Sequence, residues 1–379
     1  MKHPRPLEGV VVVELGHSVA APYAGLILAD LGARVIKVEN PEHGDYARGW
    51  GPPFWGEMSS IYAALNRGKE SITVDFANPD QAAGLRRLII EQADGVIQNL
   101  RPGILDAYDL SAESFRKAKP SLIWCDIGAF GAKGPMARKP GYDPLVQAST
   151  GIMSVTGEGD RPPVRVGISL VDMGAGMWSV LGFLAAFISR MKHGDGAEVS
   201  TSLYETGLAW MTIPLAGYEA AGDVRKPYGS GVAEIVPYQA FQTKDGWLMI
   251  AAGNDNLFRK LCDVIDRKDL ATDPAFVTNS QRVINRERLI PIVAGAVTKF
   301  GMEELGERLD AAGVPNSPLL GVAGVAHHPQ TKALDMTVAC DDNLSLVSIP
   351  ISFDGERPRN ARRAPKLGEH NSKSGTRHD

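Results

Sequence analysis

The hydrophobic positions in the first half of the chain come in short runs separated by longer amphipathic segments. Val10 to Leu15 is apolar and largely β-branched, as expected of a strand covered on both faces. A turn at Gly16 to Ala21 follows. Pro22 suits the first turn of a helix, and Gly32 ends that helix after about Leu31. Val35 to Glu39 predicts a second strand and completes a β–α–β unit. Further strands are predicted at Ser71 to Phe76, Gly95 to Leu100 and Ser121 to Ile127. Helices open at Asn78-Pro79, with Asn as cap and Pro in first position, and at Ser111. This alternation predicts an open, mainly parallel α/β sheet.

The stretch from Val164 to Arg190 organises the rest. An extended run, Val164 to Leu170, leads to Asp172, then to Gly174, Ala175 and Gly176, then to an apolar helix. The apolar run from Ala175 to Ile188 is shorter than the roughly 20 residues a bilayer span needs, so it reads as a helix buried in protein. Asp172 has two readings at this point. It is a helix cap, accepting the free amides of a first turn. Alternatively it is a carboxylate nucleophile, kept ionised at the positive end of a helix. The local pattern leaves both open.

Gly194-Asp195-Gly196 is a turn, Ala197 to Ser202 a strand, and Tyr204 to Ala221 a helix leading away. Gly222 to Val232 is glycine-bearing, charged and poor in apolar residues, which suits a linker or mobile loop. A smaller α/β unit follows. It has a strand at Trp247 to Ala252 and helices at Leu257 to Ile265, Ser280 to Lys299 and Met302 to Ala312. Val314 to Val325 leads back, Leu344 to Phe353 is a late strand, and a basic, Pro-containing tail starts at Asp354. The expected organisation is a large domain over 1–204, a linker over 205–232, a small domain over 233–324 and a returning segment over 325–379.

Composition narrows the function. The 379 residues carry a formal net charge of -4, and the pI is about 6.1. Nothing in this balance suggests nucleic acid or an anionic membrane as partner. The start, MKHPRPLEG, has charge but no apolar segment after it, so a cytoplasmic protein without a signal peptide is expected. Cys125, Cys262 and Cys340 lie far apart and read as reduced, partly buried thiols. The histidines form no metal-ligand spacing, so no metal is expected. The first strand-to-helix turn, Gly16-His17-Ser18-Val19-Ala20-Ala21, lacks the GxGxxG pattern, and no GxxxxGK[ST] occurs. The motif evidence for a nicotinamide enzyme or a P-loop ATPase is therefore absent.

Five stretches in order carry a resemblance over nearly the whole chain. They are VVVELGHSVAAPYAGLILADLGARVIKVENPEHGD, LNRGKESITVDF, ADGVIQNLRPGIL, GAFGAKGPMARKPGYDPLVQASTGIMSVTG and VGISLVDMGAGMWSVLGFLAAF. With them the chain resembles the class III CoA-transferases, the formyl-CoA transferase/carnitine CoA-transferase family. The stretch SGVAEIVPYQAFQTKDGWLMIAAGNDNLF is similar to the branch that handles dicarboxylic acids. The resemblance implies a Rossmann-like CoA-binding domain, a smaller α/β domain and an interlocked homodimer. It implies acyl-CoA and carboxylic acid substrates, no permanently bound cofactor and coenzyme A as co-substrate.

Under this resemblance Asp172 falls on the catalytic aspartate, which carries an aspartyl-CoA thioester. Gly229-Ser230-Gly231 falls on a glycine-rich loop that covers the intermediates. The CoA-contacting positions become Ser18, Val19, Ala20, Asn40, Val74, Phe76, Asn99, Arg101, Ile104, Lys139 and Tyr142. Arg101, Arg138, Lys139 and Lys37 are candidate phosphate partners by charge, with Lys37 read as ordinary solvated surface. Many relatives carry an Arg shortly after the NxxPG segment, where this chain has Ala107 and Tyr108. Val19 stands where the formyl-CoA enzymes are polar, which argues against formyl or oxalyl substrates. Racemases of the same fold use a His where this chain has Tyr142, and a phenol is a poor general base at neutral pH. Transfer is therefore favoured over racemisation, which is kept as the alternative. Asp143 is read as a cap for the helix begun by Pro144. Arg48, in an aromatic and glycine-rich segment, is the candidate partner for the distal carboxylate of a dicarboxylate such as succinate.

Overall fold

The structure is a computed structural model that describes residues 4–371; Met1 to His3 and the tail beyond Asn371 lie outside the described residues. The chain divides into two compact units. The first comprises 1–151, 166–212 and 330–379, the second 152–165 and 213–329.

The first unit is built on a six-stranded sheet. Its elements are β1 (Val11–Leu15), α1 (Ala20–Asp30), β2 (Arg34–Glu39), the two-residue strands β3 (Phe54–Trp55) and β4 (Met58–Ser59), α2 (Ser60–Asn66), β5 (Glu70–Thr73) and α3 (Pro79–Gln92). They continue with β6 (Gly95–Gln98), α4 (Ala112–Ala118), β7 (Ile123–Gly128), α5 (Asp143–Ser149), α6 (Leu170–His193), β8 (Glu198–Ser202) and α7 (Leu203–Trp210). The sheet order is β5-β2-β1-β6-β7-β8, and every pairing is parallel. Helices cover both faces, so the strands bury apolar residues on each side. Val12 and Val13, adjacent on β1, are both fully buried. One face holds Val13, Ile36, Val38 and Ile72 under Leu85 and Leu88 of α3 and Phe115 of α4. On α3 the sequence signal was complete: Asn78 caps Asp80 and Gln81, and Pro79 opens the helix.

Two expectations change. Val164 to Leu170 forms no strand. The helix begins earlier, at Leu170, with Ser169 as N-cap position. At 24 residues α6 is, by length and composition, the one helix among the described residues able to cross a membrane. It is instead a core helix on one face only. Val171, Ala175, Ser179, Val180 and Phe183 are buried, and the helix packs on α1, α5, α7, β7 and β8. Met177, Trp178, Leu181, Ile188 and Met191 remain exposed on its other side.

The second unit takes in 152–165 and resumes within α8 (Thr212–Ala221). It contains the antiparallel sheet β11-β10-β9, made of β9 (Tyr238–Gln242), β10 (Trp247–Ala251) and β11 (Asn316–Pro318). Helices α9 (Asp255–Val264), α10 (Lys268–Thr272), α11 (Asn279–Ile284), α12 (Arg286–Val297) and α13 (Met302–Ala312) surround Phe258, Leu261, Leu289, Val293 and Leu309 in a core of its own. The single helix expected over Ser280 to Lys299 is thus two, broken at Asn285, whose amide nitrogen donates to the carbonyls of Ala275 and Gln281. The expected strand at Leu344 to Phe353 shrinks to β13 (Ser345–Val347), paired with β12 (Thr337–Ala339). The expected basic tail is anchored: Gly368 donates to Ser71 Oγ, and His370 to the Ser71 carbonyl.

Where α6 meets α1, a β-carbon on Gly176 would stand 2.6 Å from the Ala20 carbonyl oxygen. That oxygen belongs to a buried helix and cannot rotate away. Gly176→Ala is therefore expected to destabilise the protein by about 1–3 kcal/mol, the usual range for overpacking. Chemical denaturation of the two proteins measures this; equal midpoints would show that α6 does not rest on α1 as described.

Candidate active site

In a parallel sheet, ligands bind beyond the carboxyl ends of the strands, where neighbouring connections diverge. Here that point lies between β1 and β6, since α1 carries the chain from β1 to β2 while β6 was added on the other side. The two loops meet through one side chain. Asn99, just after β6, accepts a hydrogen bond from His17 N at 3.0 Å and donates to His17 O at 2.9 Å. Ser18 follows with φ +68, a left-handed conformation uncommon for a residue with a β-carbon. Its amide donates to Asp45 Oδ1 at 3.0 Å.

Asp45 is itself held by Lys37, and here the sequence reading is corrected. Lys37 is no solvated surface residue. Its ammonium is fully buried, 2.9 Å from Glu14 and 2.9 Å from Asp45, and donates to Gly16 O at 2.8 Å. Burial alone would lower its pKa, but Asp45 and Glu14 outweigh burial and hold it charged, with the pKa raised. β2 alternates in a sheet covered on both faces, so a lysine there has to be inside. The sequence signal was its place within the run Val35 to Glu39.

The other predicted CoA positions gather along the same edge but present different groups. Val19 is the N-cap residue of α1 and Ala20 its first residue; both are buried. Asn40 uses its side chain locally, accepting from Glu42 N and His43 N. Val74 is a core residue, so only its backbone is placed to meet a ligand. Phe76 is half-buried, 6.0 Å from the Tyr108 ring. Arg101, Ile104, Arg138, Lys139 and Tyr142 are exposed.

Asp172 lies in the first turn of α6, two residues past Leu170. It does not cap that helix. The capping oxygen comes from Asp143, whose buried carboxylate accepts from Val171 N at 2.9 Å and from Asp172 N at 3.4 Å, and is steadied by Gln147 Nε2. Asp143 was expected to cap its own helix; it opens α5 but caps α6. The Asp172 carboxylate accepts no hydrogen bond among the described residues. Its pKa is raised to about 7, first by burial and then by the charge of Asp143. The helix terminus does not keep it fully ionised, as the sequence reading expected; desolvation prevails. A carboxylate that burial makes more basic and that accepts no hydrogen bond among the described residues has the character of a nucleophile. Gly176, one helical turn on, abuts the carbonyl of Ala20, two residues past Ser18.

Arg48, expected to meet a distal substrate carboxylate, is paired within the protein. It donates to Glu39 through Nε at 2.8 Å and Nη2 at 2.7 Å, and to the Pro365 carbonyl. Its guanidinium lies 3.9 Å from the centre of the Tyr62 ring. A substrate carboxylate would have to displace Glu39 from a bidentate pair. Gly229 and Gly231 belong to the second unit. Gly229, at φ +64, donates to Gly157 O at 2.7 Å, and Gly231 donates to Tyr228 O at 2.9 Å.

Known proteins are similar to this chain over nearly its whole length. The model of CoA-transferase family III matches residues 7–371. The chain is 37% identical over 375 residues to the succinate–glutarate CoA-transferase of Agrobacterium fabrum, covering 96% of this chain and 94% of the other. It is also 37% identical over 367 residues to the acetyl-CoA:oxalate CoA-transferase of Acetobacter aceti, covering 96% and 93%. The crystal structure of a CAIB/BAIF family protein from Brucella suis superposes with a TM-score of 0.89 at 39% identity, covering 98% of each chain.

The raised carboxyl predicts a pH dependence of stability. Between its ordinary value of 3.8 and about 7, Asp172 ionises in the unfolded chain but not in the folded one. Wild type should lose stability relative to Asp172→Asn as pH climbs through that window, and the difference should level off above it. Thermal melts at several pH values measure it. A difference that does not vary with pH would show that Asp172 titrates normally.

Proposed function

The chain belongs to CoA-transferase family III and is a class III CoA-transferase, and we propose that it moves CoA from succinyl-CoA or a similar dicarboxylyl-CoA to a carboxylic acid acceptor through Asp172. One observation carries this reading: the acidic side chain in the first turn of α6, Asp172, accepts no hydrogen bond among the described residues, and a second carboxylate does the capping.

The chemistry follows from that carboxylate. An Asp172 oxygen attacks the donor thioester carbon, the C–S bond breaks, and CoA leaves as thiolate, giving a mixed anhydride. The thiolate attacks the Asp172 acyl carbon, the C–O bond breaks, and the donor acid departs, giving an aspartyl-CoA thioester. The acceptor carboxylate then runs the two steps in reverse. Acyl activation is conserved throughout, and no nucleotide is consumed. Both intermediates are open to water, so the reaction requires that water be kept from them. The Ser18–Ala20 turn and the loop after Asn99 hold CoA, with Arg101 and Lys139 toward its phosphates. The relatives named above act on glutarate and on oxalate, both dicarboxylates, which supports a dicarboxylate here. Since Arg48 is committed to Glu39, its part in the acceptor site is to shape the loop around Trp50 rather than to bind the distal carboxylate.

The exposed Met177, Trp178 and Leu181 on α6, with Leu208 and Trp210 on α7, form an apolar surface that supports a homodimer.

A matrix of acyl-CoA donors against carboxylic acid acceptors, read by mass spectrometry, tests the reading. Succinyl-CoA with a short dicarboxylate is expected to give the fastest transfer. kcat/KM should rise with pH through about 7 as Asp172 ionises. Asp172→Asn should cost roughly a thousandfold or more while the protein stays folded, since Asp143 retains the cap. Transfer that survives in Asp172→Asn would refute the proposal.

A further inference from the structure

A buried row of charged side chains with alternating sign runs from Lys69 to Asp45. Lys69 Nζ donates to Glu14 Oε2 at 2.7 Å, and the other Glu14 oxygen accepts from Lys37 at 2.9 Å. Lys37 in turn lies 2.9 Å from Asp45 Oδ2. All four residues are buried. Burying such a row is costly and is tolerated only where each charge is matched.

Its last member does more than close the row. Asp45 Oδ1 accepts from Ser18 N at 3.0 Å and from Ala47 N at 2.9 Å. The amide of Asp45 donates to Glu39 Oε1 at 3.0 Å, and Glu39 is held by Arg48 and Ser71. Asp45 is thus fixed at its backbone and at its carboxylate, and it cannot follow Ser18 if the turn shifts. Ser18 stands at φ +68, which a residue with a β-carbon disfavours. Its Oγ meets the neighbouring His17 ring at 2.9 Å, a contact within the turn itself. Val19, at the N-cap position of α1, supplies no capping side chain. The direction in which the opening amides of α1 point is therefore set by the backbone of Ser18.

We infer that Asp45 is a positioning residue: held by Lys37 and Glu39, it locks Ser18 in the left-handed conformation and so pre-forms the Ser18–Ala20 turn for coenzyme A. The inference rests on the assignment of that turn to CoA under Proposed function. A turn already in its bound shape spares the ligand the cost of ordering it. Without the lock Ser18 relaxes toward ordinary φ values. Only the fraction of molecules that revisit the left-handed form then binds, and affinity falls by that fraction.

The readout is the Kd of free CoA for the full chain, by calorimetry, together with KM for succinyl-CoA or the best donor of the matrix. In Asp45→Asn a single oxygen has to serve both Ser18 and Lys37. Kd should rise about tenfold, and the donor KM with it, while kcat changes less than about threefold. Glycine takes positive φ without help, so in a Ser18→Gly background the same Asp45→Asn change should raise Kd about threefold or less. A merely stabilising Asp45 would cost the same in both backgrounds. Asp30→Asn breaks a different buried pair, with Arg67, and should lower stability without changing Kd.

An unchanged Kd in folded Asp45→Asn, or an equal loss in both backgrounds, overturns the lock. If circular dichroism shows Asp45→Asn misfolded, Asp45→Glu decides in its place, since it keeps a charge for Lys37 but displaces the oxygen from Ser18 N. Ser18→Val, which puts a β-branched residue at positive φ, separates the two readings. If it raises Kd while the Asp45 variant does not, the turn binds CoA and the lock falls. If neither raises Kd, both are wrong.

Discussion

The carboxylate of Asp143 is the constraint on which the site depends. It is buried, it accepts two amides that open α6, and its charge adds to the effect of burial in raising the pKa of Asp172. Capping and nucleophilic attack are competing uses of a first-turn carboxylate. By delegating the first to Asp143, the fold leaves Asp172 free for the second. The cost is like-charge repulsion, and it makes Asp172 a stronger base once it loses its proton.

The same economy appears at the β1–β6 edge. A left-handed serine turn is held from one side by Asn99 and from the other by Asp45, which the buried Lys37 fixes in turn. An isolated buried ammonium would be expensive, whereas one bound by two carboxylates and a carbonyl is a rigid strut. Gly176 brings the two halves together by letting α6 rest against the first carbonyl of α1.

Much of this was legible in the sequence. The parallel sheet followed from β-branched runs such as Val10 to Leu15 alternating with capped helices such as the one opened by Asn78-Pro79. Asp172 stood out because it preceded small residues and an apolar helix. What stayed hidden was tertiary. Whether Asp143 caps its own helix or another depends on which helix ends meet, and spacing along the chain does not carry that. Lys37 was read as solvated surface and Arg48 from its aromatic, glycine-rich segment, yet both point into carboxylate partners, Glu14 with Asp45 and Glu39, that are distant in sequence or facing across a loop. The break at Asn285 hid inside a continuous helical pattern and created the start of α12.

The central claim is that Asp172 becomes covalently loaded. Incubating the enzyme with succinyl-CoA and no acceptor, quenching with hydroxylamine and mapping peptides by mass spectrometry tests it most directly. The account predicts a hydroxamate on the peptide containing Val171-Asp172-Met173, absent when donor is omitted. A hydroxamate on a different residue, or none while transfer proceeds normally, would contradict it.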